Sequence, residues 1–144
     1  MSILNKIVIV FTLSLTLMAC GVDKKARPIT GSLPQVSENN SRLYFYRSKI
    51  PFLAAIEPEF LVDGKSVGKA VMNQVIYRDA LPGNYEIKIS SDMENSINLV
   101  LSPGETRYIK AYGTTSVIRT YLSITEVDSE QALKDIKNQK LLAP

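Results

Sequence analysis

Polar and apolar positions divide this chain into three stretches of different character. A run from Ile7 to Ala19 carries no charge and follows a single cation at Lys6. From Gly21 to Ser41 apolar periodicity disappears, and Pro28, Gly31, Pro34 and the polar run Ser37 to Ser41 take over. After Ser41 short runs of β-branched and aromatic residues alternate with turn residues, the pattern of half-buried strands. Arg42 to Ser48 predicts a first strand. Lys49 to Pro58 is apolar but bracketed by Pro51 and Pro58, and predicts a loop or one short helical turn. Glu59 to Val62 leads into Asp63-Gly64, a dipeptide that tolerates positive φ and suits a tight hairpin to Ser66–Val71. Further strands are expected at Gln74–Asp79, at Tyr85–Ser91, over Ile97 to Leu101, at Thr106–Tyr112 and at Val117–Val127. Asp92 to Asn95 reads as a polar turn, Leu81 to Asn84 as another, and Pro103-Gly104 as a strand end.

Seven or eight short strands at this spacing predict an all-β antiparallel sandwich, with antiparallel pairing throughout. The end differs in kind. Asp128 with Gln131 three positions on has capping-box spacing, and Ala132, Leu133 and Ile136 share one face of a C-terminal helix, with Leu141 about a turn further. That helix is expected to pack on the sandwich or cover an edge strand.

The N-terminal run is thirteen residues long, Ile7 to Ala19. A membrane-spanning helix needs about 20 apolar residues, whereas the apolar region of a secretory signal takes roughly 7–15. Leu17-Met18-Ala19-Cys20-Gly21 resembles the lipobox of bacterial lipoproteins, with Met18 bulkier than the residue usual there. The resemblance implies cleavage between Ala19 and Cys20, lipid on the Cys20 thiol, and a membrane as the protein's first partner. Because Gly21 rather than Asp follows the cysteine, it also implies the periplasmic side of the outer membrane. Cys20 is the only cysteine, so an exported chain has no internal disulfide to form. The domain reading is then signal peptide over residues 1–19, lipidated cysteine and flexible tether over 20–41, and β-sandwich with its helix over 42–144. A flexible tether of that length has a root-mean-square span of roughly 25 Å. Its Lys24, Lys25 and Arg27 lie close to the lipid.

Composition narrows the chemistry. Removing residues 1–19 leaves 125 residues (144 less 19) and takes away Lys6, so 16 cations face 14 acids. A near-balanced charge spread along the chain argues against a nucleic-acid partner. The absence of His removes the commonest general base and transition-metal ligand. Glu57 and Glu59 flank Pro58 and share a face if extended, the one arrangement suited to glycosidic acid–base work, yet nothing else supports it. Asp63, Asp92 and Glu94 fall in expected turns without the dense oxygen spacing that Ca²⁺ requires. No catalytic residue, metal or cofactor is expected. Tyr44, Tyr46, Tyr77, Tyr85, Tyr108, Tyr112 and Tyr121 fall on expected strands. Tyr44 and Tyr46 point opposite to Leu43 and Phe45, so one of those faces should be outward, and Tyr44 and Tyr46 with Arg42 or Arg119 are a candidate patch. Phe52, Ile56, Tyr44 and Tyr46 are the candidate binding surface.

Leu43 to Arg47, then Phe60-Leu61-Val62-Asp63-Gly64-Lys65-Ser66-Val67-Gly68, Leu81-Pro82-Gly83-Asn84-Tyr85-Glu86-Ile87, Ser102-Pro103-Gly104-Glu105-Thr106-Arg107-Tyr108-Ile109 and a closing helix together resemble the small bacterial lipoproteins grouped as domain of unknown function 2846. They are similar, more distantly, to PEGA-type domains. The resemblance covers roughly Arg42 to Leu141 and implies a transthyretin-like sandwich in the cell envelope, with no catalytic residues to transfer. The chain departs from the usual family pattern at Lys49 onward, where a polar loop gives way to Ile50-Pro51-Phe52-Leu53-Ala54-Ala55-Ile56. The expected function is a non-catalytic, membrane-anchored envelope lipoprotein acting as a binding or scaffolding module at the membrane surface, an envelope protein being one candidate partner. The alternative is a periplasmic glycan- or peptide-binding module using the Lys49–Pro58 loop and neighbouring tyrosines.

Overall fold

The computed structural model describes residues 27–142; the expected signal peptide and Cys20 lie outside them. In chain order the strands are β1 (Arg27–Pro28), β2 (Ser41–Arg47), β3 (Glu59–Val62), β4 (Lys65–Lys69), β5 (Gln74–Ala80), β6 (Gly83–Ile89), β7 (Asp92–Leu101), β8 (Thr106–Thr115) and β9 (Thr120–Val127). Helix α1 (Ser129–Ile136) and strand β10 (Lys140–Leu142) close the chain. A six-stranded sheet in the order β1-β10-β5-β2-β8-β9 faces a four-stranded sheet, β4-β3-β6-β7. The architecture is the expected all-β sandwich with one C-terminal helix.

Local chemistry sets many of the element ends. Asp63 and Gly64 take φ of 49° and 75°, turning β3 into β4. The Asp128 carboxylate accepts the Gln131 backbone N–H at 2.9 Å, capping α1 as its spacing predicts. The apolar face between the sheets is built from alternate positions, among them Leu43, Phe45, Phe60, Ile87, Ile89, Ile109 and Leu122.

The six-stranded sheet is buried on its other face too. Tyr44, Tyr46, Val75 and Tyr108 pack there against Ala132 and Ile136 of α1, with Ile29, Leu33 and Leu141 completing the cluster. The molecule therefore has three layers: small sheet, large sheet, and a cover of helix plus N-terminal segment.

Several expectations are corrected. Pairing is not antiparallel throughout, since β2 lies parallel to β8 and β10 parallel to β5. Between β2 and β8 the chain builds β5 and the whole small sheet, a crossover long enough to return in the same direction. Asp92–Asn95 is not a turn but the start of β7. Its polar side chains serve the neighbouring strand, Asp92 accepting from the Ser123 hydroxyl and the Asn95 amide donating to Ser123 and the Ile124 carbonyl. Leu141 does not extend the helix face; it pairs with Val75 in β10 while still reaching the outer cluster. From Arg27 the expected flexible tether is part of the fold. Arg27 and Pro28 pair with Leu141 and Lys140, and the Ile29 N–H donates to the Gln139 carbonyl at 2.8 Å. Ile29 and Leu33 supply the apolar contact that docks it.

Candidate functional site

Strand β2 carries an arginine at each end of Leu43-Tyr44-Phe45-Tyr46, and every one of its residues is buried. At the first end Arg42 lies on the helix side. Its guanidinium makes a two-pronged contact with Asp79 at 2.5 and 2.8 Å, donates to the Pro34 carbonyl at 2.7 Å and stacks 4.3 Å over the Tyr77 ring. The hydrogen bonds from Arg42 hold the Asp79 carboxyl below its ordinary range.

Arg47, at the other end, points between the sheets and is 0% exposed. No carboxylate meets it. Its guanidinium donates to the carbonyls of Ile56 (2.7 Å), Ala70 (3.0 Å) and Leu53 (3.2 Å), while its Nε has no partner among the described residues. Burial pulls the guanidinium below its usual value and Glu57 partly restores it. The chemistry of this group is structural. It ties the Lys49–Pro58 loop to the segment after β4, supplying the donor for the Ile56 and Ala70 carbonyls and sharing the Leu53 carbonyl with the Ile56 N–H.

That loop contains a single 3₁₀ turn at Pro51–Leu53, as its proline bracketing predicts. Leu53 is 4% exposed and Ile50 packs beside it against the inner core. Both rest on Gly113 of β8, where any Cβ would sit 2.6 Å from the Ile50 Cδ1. The same turn leaves Phe52 78% exposed and Ile56 42% exposed. Tyr44 and Tyr46 are each 1% exposed, so the candidate surface is not one surface. Phe52 and Ile56 remain outside, whereas Tyr44 and Tyr46 belong to the core under α1. The expectation that one face of β2 looks outward fails because the helix and the Ile29–Leu33 segment cover it. Nor does a patch form with the arginines: Arg42 is itself buried, and Arg119 stacks instead 4.7 Å over Tyr121.

The outer cluster does contain a polar cleft of about 250 Å³ lined by Tyr46, Lys110, Asp135 and Gln139 among others. The Asp135 carboxylate accepts from the Tyr46 hydroxyl at 2.9 Å, from Lys110 Nζ at 2.6 Å and from the Gln131 amide at 2.7 Å. Burial works to raise its pKa, and the Lys110 ammonium with the Tyr46 and Gln131 donors outweighs it, holding the carboxyl below its ordinary range. Burial, then Asp135, pushes the Tyr46 hydroxyl well above the ordinary phenol value. Tyr46, Lys110, Gln131 and Asp135 satisfy one another and clamp helix to sheet, while the buried Gln139 donates to the Asp135 backbone carbonyl and leaves its Oε1 without a partner among the described residues.

Glu57 and Glu59 are both exposed on either side of buried Pro58. Asp63 accepts from the Glu86 backbone N–H, which explains its place in the turn. No group of three or more potential metal ligands occurs among the described residues.

The loop-bearing end gathers other apolar side chains. The Ile89↔Asp92 pair places the β6–β7 turn there, and the Ser91 hydroxyl donates to the Leu122 carbonyl, joining it to the β8–β9 hairpin. At the tip of that hairpin Val117 and Ile118 are almost fully exposed, and Met93 is 53% exposed. Sequence reading missed this tip by extending a strand through Val117. The signal was available in Gly113 to Ser116, although the strand in fact runs to Thr115 before turning. For Arg47 the signal was an unbroken apolar run flanked by two arginines, which marks a strand buried on both faces.

No curated protein matches the chain, and no solved structure does. A match to the family described as protein of unknown function (DUF2846) extends over residues 37–122, from just before β2 into β9 and more than half of the chain. The matched stretch takes in most of the sandwich, and the protein belongs to DUF2846.

Proposed function

We propose that this protein is a non-catalytic lipoprotein of the bacterial envelope, held to a membrane by lipid on Cys20 and presenting the loop-bearing end of its sandwich to a partner protein. The observation that carries the second half is the distribution of exposed apolar side chains. Phe52, Ile56, Met93, Val117 and Ile118 all leave from the end marked by Arg47, Glu59 and the Ser90-Ser91 turn, while Leu81, Val100 and Leu133 lie elsewhere. Soluble domains scatter such residues, and their concentration at one end supports a contact surface. Phe52 also sits on a turn fixed from below by Arg47, Leu53 and Ile50, so docking would cost it little ordering entropy. A protein partner is favoured over a small glycan or peptide because Tyr44 and Tyr46, which that alternative requires, are buried.

The anchor rests on the Leu17–Gly21 pattern. Mass spectrometry of the N-terminal peptide from envelope-purified protein should find Cys20 as the first residue and carrying acyl chains; an unmodified thiol would end the anchor reading. Gly21→Asp is expected to shift the protein from the outer to the inner membrane on a density gradient. Photo-crosslinking from position 52 in intact envelopes should capture one discrete partner that position 100 does not. Equal labelling from both positions would refute the docking end.

A further inference from the structure

We infer that the edge formed by β1, β10 and the last turn of α1 lies against an anionic phospholipid surface, leaving the apolar end free for a partner. This rests on the anchor reading of Cys20 and adds an orientation to it.

Chain length brings the membrane to this edge. Because the chain joins the sheet at Arg27, only seven residue steps separate the acylated cysteine from the fold, 20 to 27. Fully stretched they reach at most about 24 Å. The bilayer must therefore come close to this edge. Arg27 stands level with Leu141, Val75, Tyr46 and Lys110 through successive strand pairs. Val117 lies seven residues beyond Lys110, on the far side of the sheet. β8 runs five residues past Lys110 to Thr115 before the turn that carries Val117, so seating that tip on the membrane would lift Arg27 by at least about 17 Å and use up most of the connection's reach. Seating the β1–β10 edge demands nothing of it.

Charge favours the same edge. Arg27, Lys137 and Lys140 are exposed on this edge, and none forms a salt bridge among the described residues. Lys24 and Lys25 stand in the connecting segment, opposed there by Asp23 alone. Beside them Leu133, 47% exposed, borders a half-open groove of about 540 Å³ that Ile29, Leu33 and Ile136 also line. An apolar strip rimmed by cations is the arrangement that settles at a headgroup boundary.

Cys20 being the only native cysteine, its acylation leaves a newly introduced thiol as the single reactive one. Full-length Leu133→Cys and Val117→Cys proteins, processed in cells, are labelled with an environment-sensitive fluorophore. They are then reconstituted in mixed phosphatidylcholine–phosphatidylglycerol vesicles carrying a headgroup-level quencher. The label at 133 is expected to be quenched several-fold more than that at 117. Adding Lys137→Glu and Lys140→Glu should weaken docking by at least about fivefold per lysine replaced on the mixed vesicles. On pure phosphatidylcholine the pair should have little effect. Both lysines are exposed, and a circular-dichroism melt checks that the variants fold. A protein recovered without acyl chains on Cys20 overturns the anchor reading and this inference together. An acylated protein whose two labels are quenched equally, or whose quenching ignores the lysine changes, overturns the orientation alone.

Discussion

Arg42 and Arg47 stand at the two ends of one strand, both out of water, and their charges are accommodated in opposite ways. Arg42 meets a carboxylate, and that carboxylate, Asp79, keeps a side chain 39% exposed. Arg47 meets three backbone carbonyls and no acid. An ion pair at a sheet margin is partly screened and replaceable by water. A guanidinium spread over buried carbonyls is not replaceable, because removing it orphans acceptors from two separate segments at once. β2 is therefore structurally committed at its Arg47 end, under the exposed loop.

The largest effect is expected at Arg47. Arg47→Ala is expected to cost about 3–5 kcal/mol in chemical denaturation, leaving buried carbonyls unmatched and a void beneath Leu53. Arg42→Ala should cost less, roughly 2 kcal/mol, since Asp79 can turn to solvent and the main losses are the hydrogen bonds and the stack on Tyr77. A penalty for Arg47→Ala no larger than for Arg42→Ala would show the carbonyl cluster to be dispensable.

Acid sharpens the contrast. Asp79 has a folded pKa depressed below its unfolded value, so its contribution is present above the ordinary carboxylate pKa and is lost as pH falls through the folded one. The penalty of Arg42→Ala should therefore shrink on acidification, below about pH 4. Bound only to carbonyls, Arg47 has no such titration, and the penalty of Arg47→Ala should persist through the same range. Parallel urea titrations of both variants at neutral and acid pH make the check.

What the sequence made legible follows the same division between local and distant causes. The Asp63-Gly64 hairpin, the Asp128 cap and the 3₁₀ turn are decided by residues a few positions apart, and each forms where its chemistry requires. The parallel β2–β8 pair joins residues more than sixty positions apart, and nothing near Leu43 announces Arg107 as its neighbour. Ile29 and Leu33 are two apolar residues in a polar stretch, too few for a periodicity, yet they dock the segment that hides Tyr44 and Tyr46. Burying both faces of β2 removed half of the expected binding surface and left Phe52 and Ile56 exposed on the Lys49–Pro58 loop.

The outer cluster gives a smaller effect. Tyr46→Phe removes the 2.9 Å bond to Asp135 while keeping the ring, for an expected loss of about 1–2 kcal/mol. Tyr44, Tyr46 and Tyr108 all have pKa values raised, burial being the largest cause in each. A raised folded pKa means that their contribution is intact below the unfolded value of about 10 and declines as pH climbs through the folded values. Wild-type stability should therefore fall steeply above about pH 10, and less steeply in Tyr46→Phe, which has one such phenol fewer. Phenolate absorbance and circular dichroism followed together would show ionisation coinciding with unfolding. Titration of all seven tyrosines with the fold intact would contradict the burial.

Phe52→Ala should change stability least, by under about 0.5 kcal/mol, because the ring is already largely in water. Its value lies in the pairing with Arg47→Ala. If the loop exists to display Phe52, both variants lose crosslinking to a partner, one by removing the contact and the other by releasing the turn that aims it. Only Arg47→Ala should also lower the denaturation midpoint. Undiminished partner capture by Phe52→Ala would mean that Arg47 holds the loop for the sake of the fold, with the apolar contact made by Val117 and Ile118 instead. Removing those two side chains would then have to abolish capture, and the site would move from the β2 loop to the β8–β9 tip.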